Sequence, residues 1–180
     1  MIAAILGHPF AGKRTLAAAL AATLAMNVVD FEKVRATIHL GVSEETRRAR
    51  ATVERGLLLS DALFGEILWQ SARPDNAIIV GRPRNLAEFE SFQTASGHPL
   101  SVIHLEAGQH LIDMRMTAAG LPPSEIGHPG ALARLGVALQ PVLLRANDGG
   151  HLLTLSASRA LEDLVEDARQ FVLEQRALPR

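Results

Sequence analysis

The chain has 180 residues, 48% of them hydrophobic and 21% charged, with a formal net charge of −1, which is enough apolar material for one globular domain with a sizeable core. That balance shows no basic excess pointing to nucleic acid, although a local basic pocket is compatible with it, and the absence of cysteine excludes disulfides and thiolate metal sites. No apolar run reaches the length of a membrane span, and the opening MIAAIL is too short for a signal-peptide core and has no basic leader, so no membrane partner and a cytoplasmic location are expected.

Short apolar runs alternate with longer helix-patterned segments, which predicts an α/β fold with a parallel sheet. IAAIL (Ile2 to Leu6) reads as the first strand, and the alanine-rich KRTLAAALAATLAM after it as a helix. NVVD (Asn27 to Asp30) is a short second strand. EETRRARATVERG is a charged helix opened by Ser43, with Glu44 and Glu45 in its first turn. SDALFGEILWQSA is a further helix with Ser60 as its cap, burying Leu63 and Ile67 with Phe64 and Trp69 beside them.

AIIVG (Ala77 to Gly81) has the continuous apolar character of a strand buried on both faces. NLAEFESFQ starts a helix on a capping box of Asn85 and Glu88. LSVIHLE is a fourth strand and HLIDMRMTA a helix, which GLPPSEIGHPG breaks with its glycines and prolines. ALARLGVALQPVLLR is helical, with a kink expected at Pro141. DGG turns the chain into a fifth strand, HLLTLS, and SRALEDLVEDARQFVLEQ closes as an amphipathic helix on Leu161, Leu164, Val165, Phe171 and Val172. The seven histidines are scattered, and the spacing of His104 and His110 suits neither a helical face nor a zinc finger, so no metal site is expected from them.

GHPFAGKRT, residues Gly7 to Thr15, follows the first strand directly and opens the first helix. Ligands of open α/β sheets gather at the carboxyl ends of strands, so the position alone favours a site. A phosphate cradle needs inward-pointing backbone N–H groups, which glycines permit, and the positive end of the following helix. Gly7 and Gly12 fit the first need, Lys13 supplies a point charge for outer phosphates, and Thr15 offers a hydroxyl from the first helical turn. Pro9 and Phe10 stiffen the loop.

At these residues the chain resembles the adenylate kinase family of nucleoside monophosphate kinases, whose loop commonly reads G-x-P-G-x-G-K-G-T. Gly7, Pro9, Gly12, Lys13 and Thr15 match, Ala11 takes a variable place, and Phe10 and Arg14 replace glycines. ERGLLLSDALFGEIL looks like the family's glycine, apolar, aspartate and helix segment. IIVGRPRNLAEFE is similar to the D-G-F-P-R block, keeping Gly81, Pro83 and Arg84. IHLEAGQHLIDMRM resembles the strand and helix that carry an arginine at the lid entrance, here Arg115, and the final third carries a further one at Arg134.

The resemblance implies a P-loop kinase fold over residues 1–180 as a single, monomeric domain. Its five-stranded parallel sheet would be flanked by helices on both faces, with acceptor-binding helices at about 31–72 and a short lid at about 117–127. It implies transfer of the ATP γ-phosphate to a nucleoside monophosphate, with Mg²⁺ as cofactor. The loop from Gly7 through Pro9, Ala11, Gly12, Lys13 and Arg14 to Thr15 would hold ATP, with Lys13 on the donor phosphates. Arg35 and Arg84 would grip the acceptor phosphate beside Gly81, and Arg115 and Arg134 would neutralise the transferring group. Such transfer needs alignment and positive charge more than covalent help, and arginine's planar fork suits phosphate oxygens.

The sequence departs from the family in four places. Val80 stands where the family has the aspartate that orders water around Mg²⁺, and Asp30 is the nearest acid by sequence. The lid segment TAAGLPPSEIG has neither the usual arginines nor the paired aspartates, and each lost charge contact to the transition state costs roughly 3 kcal/mol. Glu88 and Asp30 fall where the family reads the acceptor base with glutamine and threonine. A carboxylate only accepts hydrogen bonds, which favours a base edge rich in N–H donors, such as that of guanine, over adenine; the other reading is that Glu88 simply completes the helix cap with Asn85. Arg14 is large and charged where the family keeps a glycine. The alternatives to an active nucleoside monophosphate kinase are a weak or inactive nucleotide-binding protein on the same fold and a kinase for another small metabolite.

Overall fold

The computed structural model describes residues 1–30, 44–55, 60, 63, 66–67, 76–121 and 130–178. Arg35, Ser43, Phe64, Trp69, most of the 31–72 acceptor segment and most of the lid lie outside the described residues. Strands β1 (Ile2–Leu6), β2 (Asn27–Asp30), β3 (Ala77–Val80), β4 (Ser101–Glu106) and β5 (Leu152–Ser156) form one sheet in the order β2-β3-β1-β4-β5. Every neighbouring pair is parallel, so the fold is α/β with a five-stranded all-parallel sheet.

Helices cover both faces, as all-parallel sheets require. Ala3 and Ile5 of β1 pack toward α1 (Lys13–Leu24) and α6 (Leu161–Ala177), joining Leu16, Leu20, Leu164, Phe171 and Val172 in one core. Ile2, Ala4 and Leu6 point the other way, into a second core with Phe89 and Phe92 of α3 (Leu86–Ser96) and Leu139 and Val142 of α5 (Gly130–Asp148). Strand residues alternate faces, so the uninterrupted apolar runs of β1 and β3 follow from burial on both sides. Helix α4 (Gln109–Ala118) adds Ile112 and Met116 to the first core, and α2 (Glu44–Glu54) buries Ala49 with Leu63 and Ile67 in a small separate cluster.

The helix ends explain where the elements stop. Ala25 takes a left-handed conformation (φ 49°) and Met26 N–H reaches the Ala21 carbonyl at 3.0 Å, ending α1 two residues short of the sequence expectation. The α3 cap forms as expected, with Asn85 Oδ1 accepting from Glu88 N at 2.8 Å. The return bond differs: Glu88 Oε2 accepts from Arg84 N at 2.7 Å, one residue before the cap. Helix α5 is continuous through Pro141. That proline and Val137, whose carbonyl it cannot serve, are both exposed, so water can take the missing bond. No helix among the described residues is long and apolar enough to cross a membrane.

Candidate functional site: the cleft at the carboxyl end of the sheet

Strand β1 lies between β3 and β4, and its carboxyl end runs into Gly7. A Cβ at Gly7 would stand 2.2 Å from the Leu105 carbonyl oxygen, and φ there is 140°, so only glycine lets the loop turn this close to β4. Phe10 also holds a positive φ of 61°. Gly12, at φ 100°, caps α1 without a side-chain hydrogen bond. First-turn N–H groups have no intrahelical acceptor, so this end of α1 presents donors and positive potential to whatever the loop encloses.

The loop, the ends of β2 and β3, and α5 enclose a cleft of about 650 Å³. The loop and α1 bring Lys13, Arg14 and Thr15 to it, β2 brings Asp30, the segment after β3 brings Gly81, Arg82 and Arg84, and Leu135 and Leu139 of α5 form an apolar wall. Lys13 curls back across the loop, its Nζ donating to the Gly7 carbonyl at 2.9 Å and the His8 carbonyl at 2.5 Å. Burial, and then the neighbouring Arg14 and Arg84 charges, lower its pKa to about 8. Gly81 holds a positive φ of 74°, so backbone conformation rather than space favours glycine there: a Cβ would meet Lys13 Cε at an ordinary contact distance of 3.8 Å.

Arg14 lies on the cleft wall, where its Nε donates to Asp30 Oδ2 at 2.6 Å and its Nη2 to Oδ1 at 3.3 Å. The Asp30 side chain is 10% exposed and that of Arg14 68%. Asp30 is in register with Val80, which puts an acid one strand, roughly 5 Å, from the place where the sequence leaves a valine. Magnesium usually keeps several waters and takes one or two carboxylates with substrate phosphate oxygens. Thr15 and Asp30 give the cleft that kind of oxygen, so the residues present fit Mg²⁺ bound with a nucleotide. Among the described residues no three His, Asp or Glu side chains gather as a protein-only metal site.

The other expected residues sit differently. Arg115 lies behind the loop: its Nη1 donates to the Phe10 and Ala11 carbonyls at 3.1 and 2.6 Å, and its Nη2 to the Ala157 carbonyl at 3.0 Å. It braces the loop and does not line the cleft. Arg134 is exposed on α5 and also lies outside the lining. Glu88 is buried at the base of α3, where its carboxylate takes the Arg82 guanidinium and the Arg84 N–H, so both its oxygens are engaged by the chain itself. Arg35 lies outside the described residues.

Sequence reasoning passed over Arg82. Its side chain is 15% exposed, lines the cleft and is paired with Glu88. The signal available was a charge between the kept Gly81 and Pro83, followed six residues later by an acid. His8 was also passed over: its Nδ1 is buried without a partner, and burial and Lys13 both lower its pKa. His104 on β4 is lowered by burial, against Glu106, and further by His8. Both rings are therefore biased toward the neutral form beside an already cationic loop. Neither protein-family models nor curated proteins give a match to this chain.

Proposed function

We propose that the chain is an ATP-dependent phosphotransferase of the adenylate kinase type, moving the γ-phosphate of ATP to a nucleoside monophosphate. One observation carries this reading: the glycine loop with Lys13 and the post-β3 segment with Arg82 and Arg84 face a single cleft of nucleotide scale. Donor and acceptor phosphates bound from these two sides would meet between them, and the cations would offset the charge that resists their approach.

In this reading the loop N–H groups and the α1 end hold the donor phosphates. Lys13 gives up the Gly7 and His8 carbonyls for phosphate oxygens, a stronger charge-assisted partner. Arg84 binds the acceptor phosphate, Arg82 stiffens that wall through Glu88, and Leu135 and Leu139 exclude water beside the reacting groups. Thr15 and Asp30 are the cleft side chains that would hold Mg²⁺, which would supply further neutralisation of the bound phosphates. Arg115 acts on the loop's shape rather than on the transferring group. We assign the protein to the cytoplasm, where ATP and nucleoside monophosphates are both available.

A second reading, a nucleotide-binding protein with little or no turnover, draws support from Val80 and from the engagement of Arg115 by backbone carbonyls. A coupled assay with Mg-ATP and each of AMP, GMP, CMP and UMP separates the two. Diphosphate formation that Lys13→Ala abolishes supports the kinase. ATP binding without turnover on any acceptor supports the second reading.

A further inference from the structure

Arg14 and Asp30 face each other across the mouth of the cleft, and neither suits an inert wall. Arg14 stands in the first turn of α1, next to the lysine of the loop. Asp30 is the carboxylate among the described residues that lines the cleft, in a wall otherwise carrying Lys13, Arg14, Arg82 and Arg84. An anionic ligand entering there is attracted by the cations and repelled by the acid, so an acid held at that point lowers affinity for a bare polyphosphate. The pairing screens that repulsion while the cleft is without a ligand. Arg14 holds the acid side-on through Nε and Nη2 with most of its own side chain in solvent.

We propose that the Arg14–Asp30 pair is an exchangeable latch: on binding a metal–triphosphate, Arg14 moves to phosphate oxygens and Asp30 becomes the acid that orders the water shell of the metal, the role Val80 cannot fill. This rests on the phosphotransfer reading. The exchange balances in charge, because the guanidinium trades a carboxylate for a phosphate and the carboxylate trades a guanidinium for a hydrated dication. It makes nucleotide affinity depend on the metal through Asp30, and it makes Arg14 a competitor of the metal when the cleft is empty.

The test is calorimetric titration of the full chain with ATP, in excess Mg²⁺ and in EDTA, for the unaltered protein, Asp30→Asn and Arg14→Ala, each checked for cooperative melting. The unaltered protein is expected to bind ATP about tenfold more tightly with Mg²⁺, the scale of one charge-assisted contact. In Asp30→Asn that gain falls below about twofold while metal-free binding tightens, because the repelling acid is gone and its charge no longer holds Arg14. In Arg14→Ala metal-free binding weakens and the gain from Mg²⁺ rises, since the Arg14 guanidinium no longer competes for Asp30. That second variant decides the matter should the buried Asn fail to fold.

An undiminished Mg²⁺ gain in Asp30→Asn, or an unchanged gain in Arg14→Ala, overturns the latch while leaving nucleotide binding intact. Absence of ATP binding by the unaltered protein under both conditions overturns the latch together with the reading beneath it.

Discussion

Lys13 shows how a single side chain couples burial to ligand choice. Its ammonium rests on two carbonyls inside a cleft that already holds Arg14 and Arg84, and its pKa falls from 10.5 to about 8. A cation whose pKa is lowered by folding costs stability while it stays charged. That cost is full below pH 8 and is relieved as pH rises toward 10.5. A triphosphate reverses the balance by pulling the lysine back to its charged form. ATP binding at about pH 9 should therefore take up close to one proton, and affinity should fall as pH climbs past 8. Calorimetry in two buffers of different ionisation enthalpy measures the uptake. Heat independent of the buffer, or an uptake that persists in Lys13→Met, would separate the proton from this lysine.

Residue by residue, what the sequence revealed divides along a physical line. Gly7, Gly12 and Lys13 were legible because their roles depend on local backbone and spacing, and Asn85 was legible because a cap is decided within one helical turn. Arg82, Glu88 and Arg115 were not, because nothing local says whether a long charged side chain turns inward. Glu88 could be read either as a base contact or as part of the cap with Asn85, and its carboxylate in fact engages Arg82 and the Arg84 N–H. Arg14 was expected in the nucleotide loop with no partner assigned, and it pairs with Asp30, 16 residues away at the end of β2.

Among the elements, α4 matters for what it sends under the glycine loop. Arg115 leaves its last turn and ties the Phe10 and Ala11 carbonyls to Ala157, just beyond β5. One guanidinium thus clamps the loop to two distant parts of the chain, and it satisfies carbonyls that the strained turn at Phe10 cannot give to a helix or sheet. Arg115→Ala should lower stability by about 2–4 kcal/mol in denaturant unfolding. Arg115→Lys should recover less than half of that, because one ammonium cannot reproduce the fork. An alanine variant of full stability but impaired phosphotransfer would instead make Arg115 a ligand of the reacting phosphates. The elements themselves were largely visible in the hydrophobic pattern. The helix through Pro141 was expected as one element, and its continuity past the proline fits a turn that faces solvent.

For the molecule as a whole, the alternation of apolar runs and amphipathic segments predicted five parallel strands between helices, and that is the architecture observed. The order β2-β3-β1-β4-β5 was not readable from the pattern, since strand neighbours are chosen by long-range packing. That order makes the cleft, because it seats β3 between β2 and β1 and so brings Asp30, Arg82 and Arg84 to the same mouth as the glycine loop. In the proposed function this mouth holds a nucleoside triphosphate through Lys13. The decisive measurement is equilibrium titration of a fluorescent ATP analogue with Mg²⁺ into the unaltered protein and Lys13→Met. Saturable binding at micromolar concentrations is expected, competed by ATP and weakened at least about tenfold by the substitution. Equal affinity in the two proteins, or no saturable binding to the first, would contradict it.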